Sequence, residues 1–124
     1  MTIIIDTSGP AARSMIAAAS AISLSRDLDL HLVGDEAEIA DWLADTSHDP
    51  ARLMVRHAPG GVDAAMAVLA QTRGAALVTA APAAAVVKAA AEGLALVEGA
   101  RPALCAVYPT ARRRGARNDP FVLI

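Results

Sequence analysis

Four polar clusters could do chemistry: Asp6-Thr7-Ser8-Gly9, Gly34-Asp35, Arg56-His57 with Gly60-Gly61 close behind, and Thr79. Each closes an apolar run, so each stands where a buried strand would end. Carboxylates at Asp6 and Asp35, hydroxyls at Ser8 and Thr79, and an imidazole at His57 that titrates near neutral pH give acid, base and donor groups. Glycines 9, 34, 60 and 61 let backbone approach a ligand closely. Helix N-termini after Gly9, Gly34, Gly61 and Ala81 would aim N–H groups at the same edge, which favours an anion such as phosphate. The plainer alternative makes Asp6 and Asp35 helix caps and Gly60-Gly61 a turn. Nothing in the pattern assigns a catalytic residue.

A second cluster is cationic: Arg112, Arg113, Arg114 and Arg117. It is either a solvated turn or a patch for an acidic partner. His31 in a strand and His48 in a loop have no second ligand at metal spacing, so no metal site is expected. Cys105, the only cysteine, reads as a small buried strand residue in a reducing compartment.

The elements that must hold these groups alternate. Ile3–Ile5 reads as a strand, and Pro10–Leu24 as a helix with Ser8 or Gly9 as its cap. Leu28–Val33 is a strand, followed by a helix from the Asp35 cap with Ile39, Trp42 and Leu43 at helical spacing. After a polar break at Thr46–Pro50 come strand Leu53–Val55, helix Val62–Gln71, strand Ala76–Val78 and helix Pro82–Leu96. Strands Ala103–Tyr108 and Phe121–Ile124 follow, joined only by Pro109–Pro120, and can pair antiparallel as a hairpin. Apolar, non-alternating strands separated by helices predict a Rossmann-like three-layer α/β sandwich with a mostly parallel sheet, in one domain spanning 1–124. A chain stopping on Phe-Val-Leu-Ile suggests either a terminus tucked into the sheet or a fragment of something longer.

With 124 residues, 55% hydrophobic, the chain can bury a core. At 2% aromatic and net charge −2, base-stacking modules and a chain-wide basic field are excluded, and no nucleic-acid partner is expected. Met1-Thr2 runs straight into Ile3–Ile5 and Asp6, unlike a signal peptide. The Ala75–Val87 stretch contains Pro82 and is too short to span a bilayer. A cytoplasmic protein without integral membrane segments is expected. There is no GxGxxG, P-loop or GxSxG motif, and no cofactor is implied.

The order of residues resembles the N-terminal part of the bacterial PlsX phosphate acyltransferases. The resemblance rests on Asp6–Ala11 at the family's opening Asp-x-x-Gly-Gly-Asp turn, and on Leu32-Val33-Gly34 after the second strand. It continues with Arg73 leading into Thr79–Ala83, Arg101-Pro102-Ala103-Leu104, Pro109, and Phe121–Ile124 on the next family strand. It covers nearly all of this chain but about the first third of the family. It implies fatty-acid and phospholipid synthesis: acyl phosphate made from acyl carrier protein thioester and phosphate. Pro10 and Ala11 replace the second Gly and Asp of the opening turn, Gly60-Gly61 replace a Ser pair, and Ala81-Pro82-Ala83 replace Gly-Asn-Thr. The family's second half is missing.

By resemblance, then, the chain is a non-catalytic or half-site subunit. Asp6, Ser8, Gly9, Gly34, His57, Gly60, Gly61 and Thr79 are the phosphate- or substrate-binding candidates. Arg112, Arg113, Arg114 and Arg117 are candidates for docking an acidic carrier. A homo-oligomer or a second polypeptide would complete the fold. The alternatives are an active acyltransferase formed with a second chain or copy, and an unrelated single-domain anion-binding module.

Overall fold

The computed structural model describes residues 1–103, 106–114 and 117–123, the last two stretches by backbone pairing alone. The element order is β1 (Thr2–Asp6), α1 (Ala12–Ser25), β2 (Asp29–Gly34), α2 (Glu36–Ala44), β3 (Leu53–His57), α3 (Gly61–Gln71), β4 (Ala75–Val78), α4 (Ala83–Gly93), β5 (Ala106–Arg114) and β6 (Arg117–Leu123). Strands β1 to β4 form a parallel sheet in the order β3-β2-β1-β4. This is the Rossmann-like three-layer architecture that the alternation of elements predicts.

The strand pleat sorts the core into two layers. Ile5, Leu30, Leu32 and Leu53 point to one face, where Ile16 and Ala19 of α1 and Ile39 and Leu43 of α2 cover them. Ile4 and Val33 point to the other, against Ala65 of α3. Val62 and Met66 of α3 then pack on Ala89 of α4. Helix α1 buries Ala12, Ile16, Ala19, Ser20 and Ser23, a stripe at helical spacing. Its serines are satisfied locally: Ser20 donates to the Ile16 carbonyl, and Ser23 donates to Ser20 and accepts from the Asp49 N–H.

Several boundaries differ from those expected. Helix α1 starts at Ala12, with Ala11 rather than Ser8 or Gly9 at its cap position. Ser8 lies upstream of that position, separated from it by Gly9-Pro10, and its N–H and hydroxyl both donate to Asp6 instead. Helix α4 ends at Gly93, short of Leu96. The last two strands do form an antiparallel hairpin, a separate two-stranded sheet. They run well past the expected Tyr108 and Phe121 limits, so Arg112–Arg114 lie in β5 and Arg117 in β6 rather than in a long turn. Pro109 stands opposite Pro120. Neither can donate an N–H, yet the strands pair on both sides of them. Leu104, Cys105 and Ile124 lie outside the described residues. Among the described residues no helix is long and apolar enough to cross a membrane.

Candidate functional site

The carboxyl ends of β1, β2 and β3 and the turns that follow enclose a cavity of about 240 Å³. Asp6, Ser8 and Gly9 supply one wall, Gly34 and Asp35 the second, and Gly60 and Gly61 the third. Six of the eight candidates are thus brought together. Thr79 joins them through Asp6. His57 stands apart, at the start of α2.

Asp6 organises the site. It is 1% exposed, and its carboxylate is fully engaged. One oxygen accepts from the Ser8 N–H at 3.0 Å and the Ser8 hydroxyl at 2.6 Å; the other accepts from the Thr79 hydroxyl at 2.7 Å. Thr79 in turn accepts from the Ala81 N–H. Asp6 is therefore no helix cap. It ties the end of β1 to the end of β4, the pair of strands between which the sheet order reverses. A carboxylate holding three donors serves structure first, because removing it leaves buried polar groups without partners.

Gly34 is fixed by a close approach. Thr7 is buried, and its N–H and hydroxyl both donate to the Val33 carbonyl. A Cβ on Gly34 would overlap the Thr7 hydroxyl. Gly9, Gly60 and Gly61 have φ of 80°, 135° and 71°, which L side chains rarely adopt. The two turns are thus bare backbone, and neither α1 nor α3 receives a side-chain cap.

Helix α2 differs. Asp35 accepts from the N–H groups of Ala37 and Glu38, as a capping residue should. The Glu36 N–H donates to Nδ1 of His57 at 3.2 Å. The donors expected after Gly34 are consumed by the protein itself, and the His57 ring nitrogen facing α2 is an acceptor in use. Beyond Ala81, α4 begins at Ala83 with Pro82 at its cap position and no side-chain cap, so its first N–H groups are left open as expected.

The electrostatics decide what the cavity can hold alone. Its charged lining residues are Asp6, Asp35 and Glu38, all acids. Each open helix end contributes about 0.3–1 kcal/mol toward an anion. A carboxylate about 7 Å from a unit negative charge opposes it by roughly 0.6 kcal/mol in water and about 2 kcal/mol near a protein surface. Three carboxylates outweigh two helix ends, so the described edge by itself opposes an anion. Among the described residues no three His, Cys, Asp or Glu side chains gather as a metal site would need.

Thr7, Glu38, Trp42 and Pro59 also line or shape the cavity and were not singled out from the sequence. Strand alternation was the usable signal for Thr7, which continues β1 inward between two residues read as ligands. The approach of Trp42 and Glu38 depends on the seating of α2, which has no local signature. No family model matches the chain, and no curated protein matches it.

Proposed function

We propose that the chain is a phosphate-acyltransferase-like module of cytoplasmic fatty-acid and phospholipid synthesis, non-catalytic or supplying half of a site that a second copy or polypeptide completes. One observation carries this reading beyond the resemblance: the carboxyl edge has the turns and open helix ends of an oxyanion cradle, yet its charged lining is acidic throughout. Attack of phosphate on a thioester needs a held phosphate and donors for the developing oxyanion. Asp6 and Ser8, the groups nearest that role, are hydrogen-bonded to each other. Acyl carrier protein is the partner this reading supplies for the arginine cluster.

The test is acyl phosphate formation from acyl carrier protein thioester and inorganic phosphate, run with the chain alone and with the assembly isolated from its source. No turnover is expected from the chain alone. Turnover by the chain alone would overturn the reading. Turnover confined to the assembly would favour the half-site form, and none in either the non-catalytic form. The second reading, a free-standing anion-binding module, requires the open starts of α1 and α3 to overcome the acidic lining. Tight phosphate binding with no affinity for the carrier would select it.

A further inference from the structure

Among the described residues the parallel sheet ends on β3, which pairs only with β2. Backbone groups of an edge strand alternate between its paired and its open side. The Leu30 N–H donates to the Arg52 carbonyl, and the Ala58 N–H donates to the Gly34 carbonyl, so the even-numbered residues of 52–58 face β2. Leu53, Val55 and His57 therefore turn their N–H and C=O groups outward. Of these, the Leu53 N–H is taken by the Asp49 carbonyl. An edge left in this state is normally blunted by charge or covered.

The flank of this edge is apolar. Helix α2 and β3 leave a groove of about 330 Å³ beside it, with Glu36, Ala40, Ala44, His48 and Val55 in its lining. Helix α2 is rich in acids, yet it turns most of them elsewhere. Glu38 lines the carboxyl-edge cavity, and Asp41 and Asp45 line a groove against α1. The stripe beside β3 is Glu36, Ala40 and Ala44, at helical spacing, with its one acid at the end. Leu53 and Val55 pack toward α2, so Met54, 52% exposed, and Arg56 lie on the other face of the sheet.

This edge fits a second copy of itself. An antiparallel pair about a two-fold axis opposes residues of the same face. In a strand of 5 residues, three or more pairs form only when the axis passes Met54, Val55 or Arg56. At Arg56 the axis sets that cation against its own copy, and at Met54 it sets Arg52 against Arg56. Like charges directly opposite destabilise a pair. At Val55 no two cations meet: Met54 faces Arg56 on both sides of the axis, and Leu53 faces His57. The Arg56 stem then covers the exposed thioether of Met54.

The hydrogen bonds need the same axis. Val55 exchanges N–H and C=O with its own copy, and each His57 N–H donates to the free Leu53 carbonyl across the axis. The His57 carbonyl, opposite the occupied Leu53 N–H, is left to water. Because α2 returns antiparallel to β3, the axis also sets the Glu36 end of one groove against the His48 end of the other, acid against imidazole. Ala40 and Ala44 between them let the helices approach. Pairing β3 with the β4 edge of another copy would instead be head-to-tail and would not close.

We propose that β3 is a dimer edge, joining two copies antiparallel about a two-fold axis at Val55 into one continuous sheet with the two α2 helices side by side. The two carboxyl edges then lie at opposite ends of the joined sheet. A second copy docked this way leaves each cavity to its own chain, so a half-site would be completed from another surface or by a different polypeptide. The interface itself rests on no reading of that cavity.

Sedimentation of the full chain over a concentration series should show monomer and dimer. Monomer throughout, up to about 1 mM, overturns the interface. Species that keep growing beyond a dimer overturn the closed two-fold. Amide exchange at Val55 and His57 should slow as the chain dimerises, while Met54 and Arg56, already facing β2, change little. A dimer without that slowing overturns the proposal, and so does protection independent of concentration, which would mean that the chain covers its own edge. Met54→Lys sets Lys against Arg56 twice per dimer and should raise Kd about tenfold, whereas Met54→Glu should lower it about threefold. If both raise it equally, Met54 faces itself, and the Val55 register is overturned; if neither moves it, Met54 is outside the interface. Should either variant unfold, Ala40→Lys on the exposed helix stripe carries the same test at about threefold. No readout uses phosphate or acyl carrier protein, so loss of the acyltransferase reading and loss of this interface are distinguishable.

Discussion

Of the four helices that begin at the carboxyl edge of the sheet, α1, α2 and α3 line the cavity, and of these three only α2 has side-chain partners for its first N–H groups. Asp35 caps two of its N–H groups, and His57 takes a third. Helices α1 and α3 start from Gly9-Pro10-Ala11 and Gly60-Gly61, with no side chain turned to their N–H groups. The packing does not explain the contrast, since all three bury apolar stripes against the sheet. A capped helix start is worth about 1 kcal/mol to the fold, and two starts left open give up that stability while leaving donors beside a cavity.

The largest expected effect breaks the open side. Asp6→Ala removes the acceptor of Ser8 and Thr79 and should cost about 3 kcal/mol in urea denaturation. A loss under 1 kcal/mol would mean that water replaces the carboxylate, and that Asp6 does not hold the edge together. Next comes Gly34→Ala, which drives a methyl group into the Thr7 hydroxyl, at about 2 kcal/mol. The same change in a Thr7→Ala background should cost at least 1 kcal/mol less, because the overlapped atom is gone. Equal costs in both backgrounds would show that Gly34 is needed for some other reason.

The sequence makes the alternation of elements legible because period and punctuation are local. Asp35 before a helical stripe reads as a cap, and it is one. Ser8 reads as a cap equally well and is not, because α1 starts only at Ala12, past Gly9-Pro10-Ala11, and Ser8 turns its hydroxyl to Asp6. Where the turn gives way to helix is visible only once it has folded. The Asp6–Thr79 bond joins residues 73 apart and depends on β4 lying beside β1, which topology settles and spacing does not. The acid lining is hidden for the same reason: Glu38 follows Asp35 on the chain, but only the seating of α2 brings it to the cavity beside Asp6.

On the closed side the effect is smaller. Asp35→Ala should cost about 1 kcal/mol and open α2 to solvent anions. Amide exchange at Ala37 and Glu38 should accelerate about fivefold, while α1 and α3 exchange as before. Acceleration in all three helices would mean that the starts are coupled, and the contrast between them would lose its meaning.

The smallest effect separates these helix starts from the sheet beneath them. His31 lies in β2 with Nδ1 buried and without a hydrogen-bond partner. Burial, and then the charge of Arg56 on β3, push its pKa below the ordinary 6.5, with Asp29 opposing. The unfolded chain therefore binds the proton more readily than the folded one. Stability from this residue is present above about pH 6.5 and is lost as pH falls below it toward the depressed folded value. His31→Leu should flatten that slope, measured as urea midpoint against pH from 7.5 to 5. Asp35→Ala should lower the whole curve and keep the slope. If the slope survives His31→Leu and disappears with Asp35→Ala, the pH response belongs to the α2 start, and the closed helix is the sensitive one.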